Sequence, residues 1–295
     1  MQTPVQNLIM KSQIGSFLSL VKFSHTVFAL PFAMIGFFLA VKFNSYPFEW
    51  ILFLLVLVCM ITARNAAMAF NRWADRNIDA DNPRTAVREI PAGIVSPGNA
   101  LWFVILNSIV FILAAWLINP LCFFLSPVAL AVVLGYSYTK RFTALCHFIL
   151  GLGLAIVPTA GYLAVAGEFH YLPLLLSGAV LCWVSGFDII YALQDEDFDK
   201  NEGLHSVPSA LGKHRALMLS STIHVLSAGF IIATGVLGGF GFWYWIGASM
   251  FCGLLAYQHT LVSPTDLSKV NLAFFTTNGI ASVLFMAFVL GDLYL

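Results

Sequence analysis

The sequence predicts an all-α integral membrane protein, one domain over residues 1–295 built as a bundle of about nine transmembrane helices. Three observations carry that prediction. The 295 residues are 60% hydrophobic and only 9% charged, with a mean hydropathy of +0.88, a composition no soluble domain of this size shows. Apolar runs of roughly 20 residues, the length that crosses a hydrocarbon core of about 30 Å, recur along the whole chain. The few charges gather in a small number of loops.

The runs fall near 17–42, 48–70, 98–117, 121–138, 144–166, 170–192, 215–237, 241–259 and 271–292. The second ends where the charges of the 71–97 loop begin. The third and fourth lie between that loop and the basic 139–143 loop, separated only by the thin break Asn119-Pro120, so eight and ten are the neighbouring counts. The fifth and sixth lead to the charged 193–214 loop, and Lys269 precedes the ninth. Most of the 14 Lys and Arg fall at the N-terminus, in or beside these loops or near Lys269, with Lys42 on the other side. With nine spans those loops share one face, and the positive-inside rule makes it cytoplasmic, with the C-terminus outside. Met1 to Gln13 is too polar for a removable signal peptide, and no appended soluble domain is read. Cys59, Cys122, Cys146, Cys182 and Cys252 are scattered singly in apolar segments and read as small core hydrophobes. A net charge of zero, with most of the acidic residues concentrated in two clusters, weighs against nucleic acid as a partner.

Eight of the 14 acidic residues sit in two clusters, Asn71-Arg-Trp-Ala-Asp75-Arg-Asn-Ile-Asp79 with Asp81, and Asp195-Glu-Asp-Phe-Asp199 with Glu202. Carboxylates four residues apart stack on one helix face and can share a divalent cation. A solvated loop would scatter its charges instead. Asp188 and Tyr191 share the second cluster's face, and Asp188 lies inside the apolar run Leu181 to Leu193, where an ionised carboxylate is expensive and kept for a purpose. Arg64 lies two turns before Asn71 on the same face and reads either as functional or as a structural partner of an acid such as Asp188.

Facing carboxylates at a membrane surface among cations suit a diphosphate bridged to the acids by Mg²⁺. Arg72, Arg84 and Arg88, Lys140 and Arg141, and Lys200 are then the candidates for the remaining phosphate oxygens. A diphosphate on a lipid tail fits, its head at the interface and its tail among the helices.

The wording Asn71-xxx-Asp75-xxx-Asp79, the downstream Asn82-Pro-Arg-Thr-Ala-Val-Arg-Glu-Ile-Pro-Ala-Gly93, and Asp188-xx-Tyr-Ala-x-Gln-Asp-xxx-Asp199 resembles the paired signature of the UbiA superfamily of intramembrane prenyltransferases. Tyr136-Ser-Tyr-Thr-Lys-Arg-Phe-Thr143 is similar to that family's Tyr/Lys/Arg loop, and Lys22-Phe-Ser-His-Thr-Val-Phe-Ala-Leu-Pro31 to its first-helix motif. Within the superfamily the wording is most similar to the bacterial 4-hydroxybenzoate polyprenyltransferase-like group. The resemblance implies helices around a central cavity, with Asn71, Asp75, Asp79, Asp195 and Asp199 holding Mg²⁺ and diphosphate across its cytoplasmic mouth. It departs from the common Asn-Asp pair at position 72, where Arg72 stands. It further implies transfer of a polyprenyl group from polyprenyl diphosphate to an aromatic acid precursor of a respiratory quinone, in the bacterial inner membrane and in contact with membrane lipid. Tyr138 and Tyr136 enter on motif grounds, and Asp188, Tyr191 and Tyr138 are the expected catalytic residues. Lys22, Arg64 and His25 are candidates for binding the aromatic acid, and His147, which follows the basic 139–143 loop, reads either as a helix-packing residue or as a site residue. Hydroxybenzoate and 1,4-dihydroxy-6-naphthoate remain open as acceptors, since both are aromatic acids of similar electrostatic demand. A secondary transporter is the alternative of another class, because Asp75 to Asp195 and Asp79 to Asp199 are both 120 residues apart, as duplicated halves would be. Charges clustered at one face rather than the midplane weigh against it.

Overall fold

The computed structural model describes residues 15–17, 19–21 and 28–295. Among them the regular structure is helical: α1 (Leu30–Phe43), α2 (Trp50–Ala74), α3 (Arg76–Asp81), α4 (Pro97–Ile118), α5 (Pro120–Thr139), α6 (Cys146–Ala166), α7 (Tyr171–Ala192), a 3₁₀ turn (Leu193–Asp195), α8 (Glu196–Asn201), α9 (Val207–Gly238), α10 (Phe242–Thr260), a π-helical turn (Leu272–Thr277) and α11 (Asn278–Tyr294). Seven of the described helices are long and apolar enough to cross a membrane. The shorter apolar α1 and the 19-residue α10 complete the set, so that each of the nine predicted segments carries described helix. The part of the first segment before Phe28 lies largely outside the described residues.

The thin break at Asn119-Pro120 is a real boundary. Asn119 is extended, its side chain accepts the Cys122 N–H at 2.8 Å, and its amide donates to Leu163 O on α6 at 2.9 Å. Pro120 then opens α5 where a missing N–H costs nothing. The seventh segment begins earlier than expected. Val207 to Leu211 is a helical turn, and Gly212 at φ +77° breaks it from the rest of α9. The 193–214 stretch is therefore folded against the bundle and not a loose loop.

In lipid, helices gain little by hiding apolar faces, so close packing and buried hydrogen bonds decide how they associate. Gly36 of α1 meets α6 so closely that a Cβ there would stand 2.0 Å from Pro158 O, and Gly161 brings α6 against Ala33 in the same crossing. Of the seven long spans α7 is the most enclosed: 56% of the apolar window of Tyr171–Asn201 is buried, against 11% for α2. It packs between α6 and α9. Its Trp183 and Phe187 form an aromatic core with Phe28, Phe32, Phe251 and Phe285. The Trp183 indole N–H donates to Asn278 Oδ1 at 2.7 Å. Asn278 also donates to the Ala273 and Phe274 carbonyls, at 3.0 and 2.8 Å, which steadies the π turn before α11. That turn seats Phe274 against Tyr191, ring centroids 4.2 Å apart.

Candidate active site

Both acidic clusters sit where a helix breaks. The expected uninterrupted helical faces are not observed: α2 stops at Ala74 and α3 restarts at Arg76, while α7 passes through a 3₁₀ turn before α8. The register survives in the first cluster, because Asp75 N–H donates to Asn71 O at 2.9 Å and Asp79 N–H to Asp75 O at 2.7 Å. Asn71, Asp75 and Asp79 thus keep a common face, and the break lets the following chain turn back over it.

That face lines a cavity of about 200 Å³ shared with the second cluster. Asn71, Asp75 and Asp79 come from one side, Asp188, Tyr191, Asp195 and Asp199 from the other, and Arg84, Arg88, Lys140, Tyr136 and His147 close the ring. Two clusters 120 residues apart in sequence therefore form one site.

The carboxylates are held by cations. Asp75, 2% exposed, receives Lys140 Nζ at 3.0 Å and the Arg141 guanidinium at 3.4 Å, with the Asn71 amide donating at 3.2 Å. Arg141 also donates to Ala74 O at 2.6 Å, filling one of the carbonyls that the end of α2 leaves open. Asp79, 3% exposed, takes Arg88 at 2.7 Å on Oδ1, while its buried Oδ2 has no hydrogen-bond partner among the described residues. Asp195 takes Arg84 on both oxygens, Nε to Oδ1 at 2.9 Å and Nη2 to Oδ2 at 2.5 Å. Arg84 Nη1 donates to the Tyr191 hydroxyl at 3.0 Å, and the guanidinium lies 5.3 Å from that ring's centroid. Burial alone would lower the Arg84 pKa, yet the bond and charge of Asp195, with Tyr191 beside it, raise it above its ordinary value. Asn82 fastens the loop from both directions, accepting the Arg84 N–H at 2.9 Å and donating to Asp195 Oδ1 at 3.3 Å. Thr85 donates to Asp79 O at 3.0 Å. The Asn82 to Arg88 turn is therefore a strap across both clusters.

Several expected site residues lie elsewhere. Tyr138 is outside the cavity, packed on Phe70 and beneath Arg141; two helical residues subtend about 200°, so it is Tyr136 that points inward. Arg72 is buried, 6% exposed, and does not line the cavity; it follows Asn71 by one residue and so leaves that face. Lys200 pairs with Glu196 at 2.5 Å, one turn back on α8, and also lies off the cavity. Arg141 reaches Asp75 from its rim without lining it. Arg64 is not among the lining residues, and the acid it was weighed against, Asp188, has His147 as its partner at 2.7 Å. Lys22 and His25 lie outside the described residues. Sequence reasoning gave no role to Asn82, Thr85 or Ser206 and left His147 open. Asn82 and Thr85 stood inside a quoted motif, and their polarity beside Pro83 was the available signal.

Profile comparison matches residues 29–288 to the UbiA prenyltransferase family. The chain belongs to that family. It is an integral membrane prenyltransferase whose UbiA fold accounts for the position of both acidic clusters. Among its UbiA relatives, a 4-hydroxybenzoate octaprenyltransferase of Aromatoleum aromaticum is 31% identical over 232 residues, 78% of each chain. One from Aeromonas salmonicida is 30% identical over 251 residues, 85% of this chain and 86% of the relative. The ligand-free structure of a UbiA homologue from Aeropyrum pernix K1 superposes with a TM-score of 0.82 at 32% identity, covering 91% of this chain and 98% of that one. A UbiA homologue from Archaeoglobus fulgidus, solved with DMAPP and Mg²⁺, shares the fold with a TM-score of 0.73 at 18% identity, over 94% and 99% of the two chains.

Proposed function

We propose that this UbiA-family chain transfers a polyprenyl group from polyprenyl diphosphate to an aromatic acid of the 4-hydroxybenzoate type, a precursor of a respiratory quinone, at the cytoplasmic face of a bacterial inner membrane. The observation that carries the reading is the shared cavity in which Asp75, Asp79, Asp195 and Asp199 meet Arg84, Arg88 and Lys140. The names of the Aromatoleum and Aeromonas relatives support the acceptor, and the concentration of basic residues in the loops at the cavity mouth supports the sidedness.

The residues present fit Mg²⁺. Asn71, Asp75, Asp79, Asp195 and Asp199 are an oxygen donor set suited to a hard divalent cation, and the unpartnered, buried Asp79 Oδ2 is an acceptor in want of one. Bound Mg²⁺ supplies neutralisation of the leaving diphosphate. Arg84, Arg88 and Lys140, with Arg141 at the rim, bind the phosphate oxygens and stabilise their growing charge as the allylic C1–O bond breaks and its electron pair leaves with diphosphate. Tyr191, its ring packed on Phe274 and its hydroxyl accepting from Arg84, holds that guanidinium at the diphosphate. A ring carbon of the acceptor forms the new bond to C1, and the proton lost from that carbon, which restores aromaticity, goes to Asp188.

Purified protein in detergent micelles, given Mg²⁺, a polyprenyl diphosphate and either 4-hydroxybenzoate or 1,4-dihydroxy-6-naphthoate, is expected to form prenylated hydroxybenzoate and release diphosphate. Product with the naphthoate alone reassigns the acceptor; no product with any aromatic acid overturns the reading.

A further inference from the structure

Four of the five cavity carboxylates belong to the two clusters; the fifth, Asp188, is held differently. Its Oδ2 lies 2.7 Å from His147 Nδ1 on α6. The other ring nitrogen, His147 Nε2, accepts the backbone N–H of Val207 at 3.2 Å. A backbone amide can only donate, so Nε2 must present a lone pair. The neutral ring then carries its proton on Nδ1 and donates it to Asp188.

The source of that fixed donor is a helix start. Val207 is the first residue of α9, and the first N–H groups of a helix have no partner within it. Ser206 and Ser209 satisfy others through a reciprocal capping box, with Ser209 N–H donating to Ser206 Oγ at 3.2 Å and Ser206 N–H to Ser209 Oγ at 2.8 Å. The Val207 N–H is left to His147, whose side chain is 4% exposed. Water is thus kept from the imidazole, and the chain Val207 to His147 to Asp188 has one direction.

We infer that His147 is a positioning residue for the transfer: with its tautomer set by the Val207 backbone, it locks the Asp188 carboxylate toward the cavity as acceptor of the ring proton. The inference rests on the reading of Asp188 in the proposed function. Asp188 lines the cavity and keeps 23% of its side chain exposed there. The His147 hydrogen bond occupies one oxygen, which leaves the other to take the ring proton. The arrangement uses an imidazole as a neutral donor, whereas Asp75, Asp79 and Asp195 are held by Lys and Arg.

The test compares His147→Phe, His147→Asn and Val207→Pro. Proton transfer as a whole contributes about 10²–10⁴-fold, so loss of the positioning bond in His147→Phe is expected to lower kcat on the order of 10- to 100-fold. KM for the prenyl diphosphate should stay within about 2-fold. His147→Asn restores a donor toward Asp188 and should recover most of kcat. Proline is well tolerated at a first helical position and lacks the N–H, so Val207→Pro should lower kcat without touching a cavity side chain. ¹⁵N-imidazole spectra of the histidine-labelled wild type, with His147 assigned by its loss in His147→Phe, should show a protonated Nδ1 and a bare Nε2, and Val207→Pro should abolish that fixed tautomer. A protonated Nε2 in the wild type, an unchanged kcat in His147→Phe, or a fall in kcat that His147→Asn does not reverse overturns the inference. If the wild type prenylates no aromatic acid, the proposed function fails, while the spectra still decide the tautomer.

Discussion

Arg84 is predicted to act in opposite directions on the two components of the diphosphate site. It binds Asp195 through two donated bonds of 2.9 and 2.5 Å, with side chains 32% and 19% exposed. A hydrogen bond between charged groups contributes about 1.5–3 kcal/mol when buried and an exposed ion pair about 0–1 kcal/mol, so this half-buried bidentate pair is taken at about 1.5–2 kcal/mol. Asp195 must give up that pairing to take a cation, which weakens Mg²⁺ binding in the absence of diphosphate by about 10- to 30-fold. Arg84→Ala removes the competition, and Mg²⁺ alone should bind tighter by that factor. The same substitution removes a guanidinium from the phosphates, so inorganic diphosphate in saturating Mg²⁺ should bind about 10- to 30-fold more weakly. Calorimetric titration of the detergent-solubilised protein measures both. Lys200→Ala, whose lysine pairs with Glu196 away from the cavity, should change neither. Mg²⁺ affinity that is unchanged or weaker in Arg84→Ala would refute the competition.

Three further outcomes follow from the same geometry. Asp79→Asn keeps the side-chain volume but removes the charge behind the unpartnered Oδ2, so turnover should fall by more than 10²-fold. The thermal stabilisation by Mg²⁺ with diphosphate, about 2.7 kcal/mol at a hundredfold excess over Kd, should vanish with it; a retained shift argues against Asp79 as a ligand. Tyr136→Phe should lower kcat/KM about 3- to 10-fold, the worth of a neutral hydrogen bond, while Tyr138→Phe stays within about 2-fold; the reverse order in steady-state assays would contradict the inward placement of Tyr136. Gly36→Ala sets a Cβ 2.0 Å from Pro158 O and should cost about 1–3 kcal/mol, read as a drop of about 2–6 °C in the detergent melting temperature.

The membrane class, the nine helical segments and the acidic clusters were legible because each is a property of hydropathy or spacing along one stretch of chain. What spacing could not show is how a chain turns after a helix ends. Asp75 and Asp195 both mark breaks, and only after the break does the Asn82 to Arg88 strap reach across to Asp195. The same limit left the role of His147 open. Its partners, Asp188 and the Val207 N–H, come from other helices, and one is a backbone group that no residue type announces. Conversely, Arg72, Lys200 and Tyr138 were drawn in by motif proximity, and helical rotation or a local ion pair removes each of them from the cavity. Residues next to a site in sequence are next to it in space only when they share its face.

The partners of the five carboxylates divide their work. Asp75, Asp79 and Asp195 are each met by Lys or Arg, and each of those cations can pass from carboxylate to phosphate when a diphosphate arrives, leaving the acid free for a metal ion. Asp199 stands on the same side of the mouth as Asp195, and Ser206, the N-cap of α9, lines the cavity beside them. Counting Arg141 at the rim, five carboxylates face four cations among the described residues. A diphosphate ester would bring about three negative charges and divalent ions positive ones, so each would offset the charge that the other adds to the site. Binding of the two is therefore coupled, and each must raise the affinity for the other by the same factor. Asp188 stands outside that exchange. Its imidazole partner is pinned by Val207, so its orientation does not depend on a cation that a diphosphate would draw away, which suits the proton-accepting role proposed for it.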